Sequence, residues 1–451
     1  MTDRVELTGW GLAMPTAAEV RTPAGTDELA KGVLDAGTRG VIARGLGRSY
    51  GDAAQNAGGL VLDATGAVTA EPQPIGADGV ITVAAGTSLE SLMHTYVPRG
   101  FFLPVSPGTR FVTVGGAIAA DVHGKNHHTD GSFINHVLSM RLAIPNGEVL
   151  DLTPDDALFW ATAGGMGLTG VIVEATIVLR PIESSAVLVD TDRLNDLDAT
   201  LAAMSEGDAR YHYSAAWIDL MATGRQLGRC VLYRGEFAPR DSLPGRRRAN
   251  PLAFSARVVA TAPPMPSGLL NHFSFSTLAE LYFRRAPRRR RDELQTITRF
   301  FHPLDGVAHW NRLYGRRGFI QWQPVVPFGA ESTLRHIVEA LSSSGTPSFV
   351  SVLKRFGPGD AAHLSFPMAG WTLSTDLPVA DGPVLGALLD DLDKRVADVG
   401  GRVYFAKDSR MRPELVPVMY PRLDEWREVC AKADPDGVMQ SDLGRRLNLR
   451  P

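Results

Sequence analysis

Ala43-Arg44-Gly45-Leu46-Gly47-Arg48-Ser49-Tyr50-Gly51-Asp52-Ala53 is the stretch on which the reading of this chain turns. A short apolar run, Val41-Ile42, leads straight into three glycines interleaved with two arginines. Glycine lets the backbone take φ > 0 and come close to a ligand, so successive N–H groups can form a concave nest around an anion such as a pyrophosphate. Arg44 and Arg48 bring matching charge. An ordinary Gly-rich turn between strands uses the same residues, so residues further along the chain must decide between the two.

Two more units of this kind lie within the next 120 residues or so. Thr113-Val114-Gly115-Gly116-Ala117-Ile118-Ala119-Ala120-Asp121-Val122-His123 comes after a turn at Pro107-Gly108, and Gly164, Gly165, Gly167 and Gly170 precede an apolar strand through Ile172. Three such turns within about 130 residues exceed what a generic domain needs. None fits the dinucleotide fingerprint, which wants G-x-G-x-x-G between a strand and a helix with an acid about 20 residues on, or the phosphate loop with its Gly-Lys-Ser/Thr.

Residues 1–183 alternate short strands and helices, an α+β pattern. Strands are expected at Val41 to Ala43, Leu60 to Leu62 and Val80 to Ala84, and Phe101 to Val105 leads to the next Gly-rich turn. A helix with Thr26 as its cap is expected to run to Gly37, and a second to open on a capping box, Thr87-x-x-Glu90. From 184 to 400 longer alternating runs, Arg229 to Tyr233, Gly318 to Val326, Ser348 to Phe356 and Gly370 to Asp376, predict a large sheet with one face buried. Helices are expected at Ser332 to Leu341 and Pro383 to Val399. The segment 401–451 is expected to return to the first domain.

At 451 residues the chain exceeds a single core, and 44% hydrophobic with 21% charged residues is ordinary for a globular protein. A net charge of −3 gives no reason to expect nucleic acid as a partner. Cys230 and Cys430 fit no metal or redox spacing. The N-terminal residues carry no apolar signal region, and no run approaches the ~18 apolar residues of a spanning helix. A cytoplasmic or cell-envelope-associated protein, soluble or peripheral to a membrane, is expected. Arg284-Arg285-Ala286-Pro287-Arg288-Arg289-Arg290-Arg291 reads as a solvated loop. Beside Phe273, Phe275, Leu278, Leu281, Tyr282 and Phe283 it also reads as a mobile interfacial segment drawn to anionic lipid.

The order of the Gly-rich units, together with Met419-Tyr420-Pro421-Arg422 and Asp434-Pro435-Asp436-Gly437 near the C-terminus, resembles the vanillyl-alcohol-oxidase class of FAD flavoproteins. The resemblance implies a two-domain FAD-binding fold whose substrate domain is built on a large antiparallel sheet. Cofactor contacts would come from Ala43 through Ala53, Gly108, Thr113, Val114, Gly115 and Gly116. Ala120, Asp121, Val122, His123, Ile172 and Tyr404 would complete them. Covalently flavinylated members join the flavin to a histidine of the first loop; Arg48 stands at the matching position, which implies non-covalent FAD.

Within that class, Ser49-Tyr50-Gly51-Asp52, His123-Gly124-Lys125-Asn126-His127-His128, Val352-Leu353-Lys354-Arg355-Phe356-Gly357 and Ala406-Lys407-Asp408-Ser409-Arg410 are similar to the flavoprotein subunits of decaprenylphosphoryl-β-D-ribose 2′-epimerase. That family oxidises the 2′-hydroxyl of a lipid-phosphate ribose, and an NADH-dependent reductase partner reduces the keto sugar to the arabinose epimer for cell-wall arabinan. A polyprenyl-phosphate substrate, a membrane surface and an electron acceptor, quinone or O2, are implied with it. Proton transfer falls to Lys407, His123 or Tyr50, with the choice open. Lys125, Gln321, Gln323, Lys354, Thr372 and Ser374 would face the substrate, Ser374 at a position where family members carry cysteine. Lys354 in an alternating strand reads equally as an outward, solvated lysine.

Other readings are weaker. His123 and His127 have the i, i+4 spacing of a metal pair, but Gly124 breaks the helix such a pair needs and no H-E-x-x-H is present there; no metal is expected. An O2-using alditol or sugar-lactone oxidase of the same class would carry the flavin-linking histidine. A membrane-peripheral binder that has lost activity would not need Tyr50, His123 and Lys407 together.

Overall fold

The computed structural model describes residues 4–68, 73–268, 270–379 and 382–450. The N-terminal part holds two four-stranded sheets. In the first, Val5–Leu7, Thr16–Arg21, Leu60–Asp63 and Val41–Arg44 lie in that order, the last three running parallel. Val41, Ile42, Leu60, Val61 and Leu62 are all buried, as the short apolar runs of parallel strands require. The second is antiparallel, ordered Val80–Ala84, Val171–Val178, Val137–Ala143, Val149–Leu152. The helix Val114–Ala119 lies between, capped by Thr113, whose hydroxyl accepts the Gly116 N–H at 3.1 Å.

A nine-stranded sheet dominates the rest. From the edge strand Arg289–Thr296 it passes through Ala186–Leu194, Cys230–Phe237, Tyr213–Ile218 and Ser351–Phe356 to Gly370–Pro378, which pairs with both Phe319–Trp322 and Pro324–Pro327. The pairings are antiparallel, as the resemblance implied, but the one-sided burial expected from alternation does not hold for the central strands: Tyr213–Ile218 is buried throughout and Gly370–Pro378 at every residue but Ser374. Helices Leu197–Gly207, Glu331–Ser343 and Gly382–Asp398 pack on this sheet. Register places Gln321 opposite Asp376, Lys354 opposite Thr372 and Val352 opposite Ser374. Because side chains alternate along a strand, Thr372, Ser374 and Asp376 share one face.

Several local expectations are corrected. The first helix spans Thr26–Lys31 with Gly25 as cap, and a tight 3-10 turn carries the chain on to Asp35. Ser88, not Thr87, caps the helix Leu89–Tyr96, its hydroxyl accepting from Ser91 N. Glu90 is unavailable for a capping box because the buried Arg110 guanidinium holds its carboxylate at 3.1 Å. The run from Gly318 breaks at Gln323, since Pro324 has no N–H to give the ladder. The basic run is not a loop: Arg284 and Arg285 end the helix His272–Arg285, and Arg289 to Arg291 open the edge strand. Arg291 pairs with Asp190 and Asp192, and Arg290 with Glu293.

The C-terminal segment serves both regions. Arg402–Val403 adds a strand to the large sheet, while Gln440 N and Val438 O flank Val41 of the first sheet. Ala406 O accepts the Tyr50 N–H at 2.8 Å, and a Cβ on Gly51 would sit 1.9 Å from Asp408 O, so only glycine permits this approach. Arg446 then bridges two buried carboxylates, Asp52 at 2.8 Å and Asp408 at 2.8 Å. Removing one member of such a buried network leaves uncompensated charge at a cost of about 3–5 kcal/mol. Arg446→Ala is therefore expected to lower the unfolding free energy by about 3 kcal/mol, read by chemical denaturation; a loss below about 1 kcal/mol would mean that this bridge does not hold the segment.

Candidate active site

One large cavity, about 710 Å³, lies where the two regions meet. One wall is the loop from Ala43, the turn at Gly108, the Thr113–Val122 segment and the Met166–Ile172 strand entry; Gln321, Gln323, Val352, Lys354, Ser374, Tyr404 and Lys407 make the other. The N–H groups of Leu46, Gly47, Arg48 and Ser49 have no protein acceptor among the described residues, and all four residues line the cavity. Gly47 has φ +62°, the left-handed conformation that such a nest needs. A Cβ on Gly108 would project into open space.

The two arginines of the loop shape it before they meet any ligand. Arg44 donates to the carbonyls of Ala54 (3.0 Å) and Thr8 (2.7 Å). Arg48 donates to Leu46 O and stacks on Trp10, 4.1 Å from the ring centre. Burial disfavours the charge on both, a cost that an anion in the nest would offset.

Four expected contacts do not reach the cavity. Val114 is fully buried in the core. Asp52 is taken by Arg446. The Asp121 carboxylate faces inward, accepting from Ile134 N at 3.1 Å and from Ser365 at 2.5 Å. Thr372 lies one layer back, donating to Pro324 O at 2.9 Å and accepting from Gln323 Nε2 at 3.1 Å. The remaining predicted residues line the cavity.

Lys407 sits with its ammonium 3.9 Å above the centre of the Tyr50 ring. Gln321 lies beside Tyr50, and its amide donates to one oxygen of the Asp376 carboxylate; Tyr314 lies beside the same carboxylate, whose second oxygen has no partner among the described residues. Burial pulls the Lys407 amine down to about 7, against the opposing pull of Asp376, and pushes the Asp376 carboxyl up to about 7. Lys354 is not solvated. Its amine lies 3.1 Å from His123 Nδ1, and burial brings it to about 7 as well, as it does Lys125. His123 Nε2 meets Gln323 Nε2 at 2.9 Å, and burial holds the imidazole well below its usual range. Its sequence neighbours go elsewhere: His127 Nδ1 accepts from Gly357 N, and His128 contacts Tyr211 O.

Sequence reasoning assigned no role to Asp376, Tyr314, Asp305, Trp10 or Trp310. Asp376 was within reach, since it alternates with Thr372 and Ser374 on one strand face. Tyr314, in a 3-10 turn, offers no periodic signal.

A family described as "FAD binding domain" matches residues 17–153. A decaprenylphosphoryl-β-D-ribose oxidase from Mycolicibacterium smegmatis is 47% identical over 98% of this chain and 97% of its own length. The chain belongs to the decaprenylphosphoryl-β-D-ribose oxidase family. An uncharacterised Streptomyces coelicolor protein is 42% identical over 80% of the chain, and an L-gulono-1,4-lactone dehydrogenase of Mycobacterium tuberculosis is 24% identical over 94%. FAD is accordingly the cofactor, and the open N–H groups of the first loop fit its pyrophosphate. The first loop, Ala43 to Ala53, contains no histidine, so acid precipitation is expected to release all the flavin. Flavin absorbance left in the washed pellet would contradict a purely non-covalent site.

Proposed function

We propose that the protein oxidises the 2′-hydroxyl of decaprenylphosphoryl-β-D-ribose to the 2′-ketone, the first half of epimerisation to an arabinose donor for cell-wall arabinan. The observation that carries this reading is the close likeness to the oxidase along nearly the whole chain, with the polar wall built around Lys407, Gln321, Gln323 and Lys354. The lactone dehydrogenase, at 24% identity, supports the sugar-lactone alternative far less.

Bound FAD supplies the acceptor for the hydride that leaves C2′. The chain's own residues position the alcohol and handle its proton. A buried lysine that loses its proton near pH 7 can accept the hydroxyl proton as the hydride departs, and its restored charge is then held by the Tyr50 face and the Asp376 carboxylate. Lys125 and Lys354 offer donors to the sugar and phosphate. Val258, Tyr282, Leu304 and Phe349 give the cavity an apolar lining suited to an isoprenoid.

Lys407→Ala should retain FAD and lose about 10²- to 10⁴-fold in the single-turnover rate of substrate-driven flavin reduction. Anaerobic stopped-flow absorbance measures it, and an unchanged rate would remove Lys407 from the chemistry.

An NADH-dependent keto-sugar reductase would complete the epimerisation, and a quinone or O2 would reoxidise the flavin. Among the described residues no helix is long and apolar enough to cross a membrane. The helix His272–Arg285 exposes Phe273 (81%), Leu278 and Leu281, and its Tyr282 lines the cavity. That face, with Arg288 and Arg289 beside it, suits contact with an anionic lipid surface from which the substrate is drawn. Replacing Phe273, Arg288 and Arg289 by serine should weaken binding to anionic vesicles, in a salt-sensitive way, without loss of FAD. Equal sedimentation of variant and parent with vesicles at low salt would exclude this face.

A further inference from the structure

Thr372 is fully buried and off the cavity wall, yet its hydroxyl settles more of the site's chemistry than its position suggests. The hydroxyl proton is committed to Pro324 O, a pure acceptor, at 2.9 Å. Oγ1 can therefore only accept from Gln323, which orients the amide with its NH2 toward Thr372 at 3.1 Å. The same NH2 faces His123 Nε2 at 2.9 Å, so Nε2 must be the unprotonated, accepting nitrogen. The ring proton of neutral His123 is then on Nδ1. Nδ1–H cannot accept from an ammonium. The Lys354 amine at 3.1 Å is thus the acceptor there, while its own N–H points at Gly124 O, 3.5 Å away.

We propose that Thr372 is a positioning residue that, through Gln323, holds His123 as its Nδ1–H tautomer and so requires Lys354 to enter the cavity as a neutral amine; only the catalytic consequence rests on the function proposed above. The surroundings agree with this assignment. Lys354 is faced by His123, the Gly124 carbonyl, Lys125 and Lys407, and His123 by Lys354, His127, Lys407, Gln323 and the rings of Phe356, Phe366 and Tyr404. None of these groups carries a negative charge, and burial among cations brings the Lys354 amine to about 7. A neutral amine can hydrogen-bond a hydroxyl as acceptor or donor and can take up its proton; an ammonium can do neither the accepting nor the uptake.

Competitive acetylation of the holoenzyme across a pH series, read on the peptide containing Lys354 by mass spectrometry, tests the assignment without turnover. In the parent the labelling midpoint is expected near 7. Thr372→Val removes the acceptor, freeing the Gln323 amide to present Oε1 to His123 Nε2. The ring proton then moves to Nε2, Nδ1 accepts from a lysine ammonium, and the Lys354 midpoint rises by about one pH unit or more. Thr372→Ser keeps the hydroxyl and should keep the parent midpoint. Imidazole NMR of the labelled parent should show the Nδ1–H tautomer at His123.

An unshifted midpoint in Thr372→Val, a parent midpoint above about 9, or an Nε2–H tautomer in the parent overturns the proposal; the last two need no variant to fold. If Lys354 must be neutral for turnover, the acid limb of substrate-driven flavin reduction moves upward with the labelling midpoint in Thr372→Val, which a simple packing defect would not produce. Labelling that behaves as stated in a protein whose flavin the ribose substrate fails to reduce would leave this inference standing and sink the substrate assignment instead.

Discussion

The clasp between the first loop and the C-terminal segment is the contact on which the site depends. Tyr50 N donates to Ala406 O, Gly51 lets Asp408 approach, and Arg446 closes the junction between Asp52 and Asp408. Residues more than 350 positions apart are thereby fixed within one hydrogen-bonded unit. Lys407 lies between Ala406 and Asp408, so the same contacts that anchor the backbone also set its ammonium over the Tyr50 ring. Ion pairing here is structural, yet its product is the placement of the Lys407 ammonium in the cavity.

The second constraint is electrostatic. Lys125, Lys354 and Lys407 all line a largely buried cavity, and burying an ammonium is unfavourable unless it is paired or loses its proton. Asp376 is the carboxylate that opposes this for Lys407, and it does so from behind Gln321, out of the substrate's way. The two glutamines of this wall are therefore not interchangeable. Gln321 is oriented by the Asp376 carboxyl; Gln323 is oriented by a hydroxyl and supports His123.

Much of the fold was legible because glycine placement and alternation are local signals. The loop at Gly45 to Gly51 and the long strands derive from residues read in order, whereas Gly115 and Gly116, read as a turn, open the helix Val114–Ala119. Legibility ended where a side chain's direction depends on distant partners. Asp52 and Asp121 sit inside the right motifs, but each is claimed from outside its own segment, by Arg446 and by Ser365. Glu90 has the spacing of a capping box and is claimed by Arg110. Lys354 reads as solvated until the register with Gly370–Pro378 and the packing of His123 are known. The basic run looked like a loop because its partners, Asp190 and Asp192, lie about 100 residues earlier.

A first loop that holds Arg48 stacked on Trp10 and contains no histidine has a thermodynamic consequence. A cofactor held there without a bond is a dissociable ligand of the native state alone, because the nest of N–H groups does not exist in the unfolded chain. Folding and cofactor occupancy are then linked by mass action: at a free concentration one hundred times the dissociation constant, occupancy adds about 2.7 kcal/mol to stability. The melting temperature becomes a function of the free flavin in solution. Dilution alone, with no change of sequence or temperature, can move the protein toward unfolding.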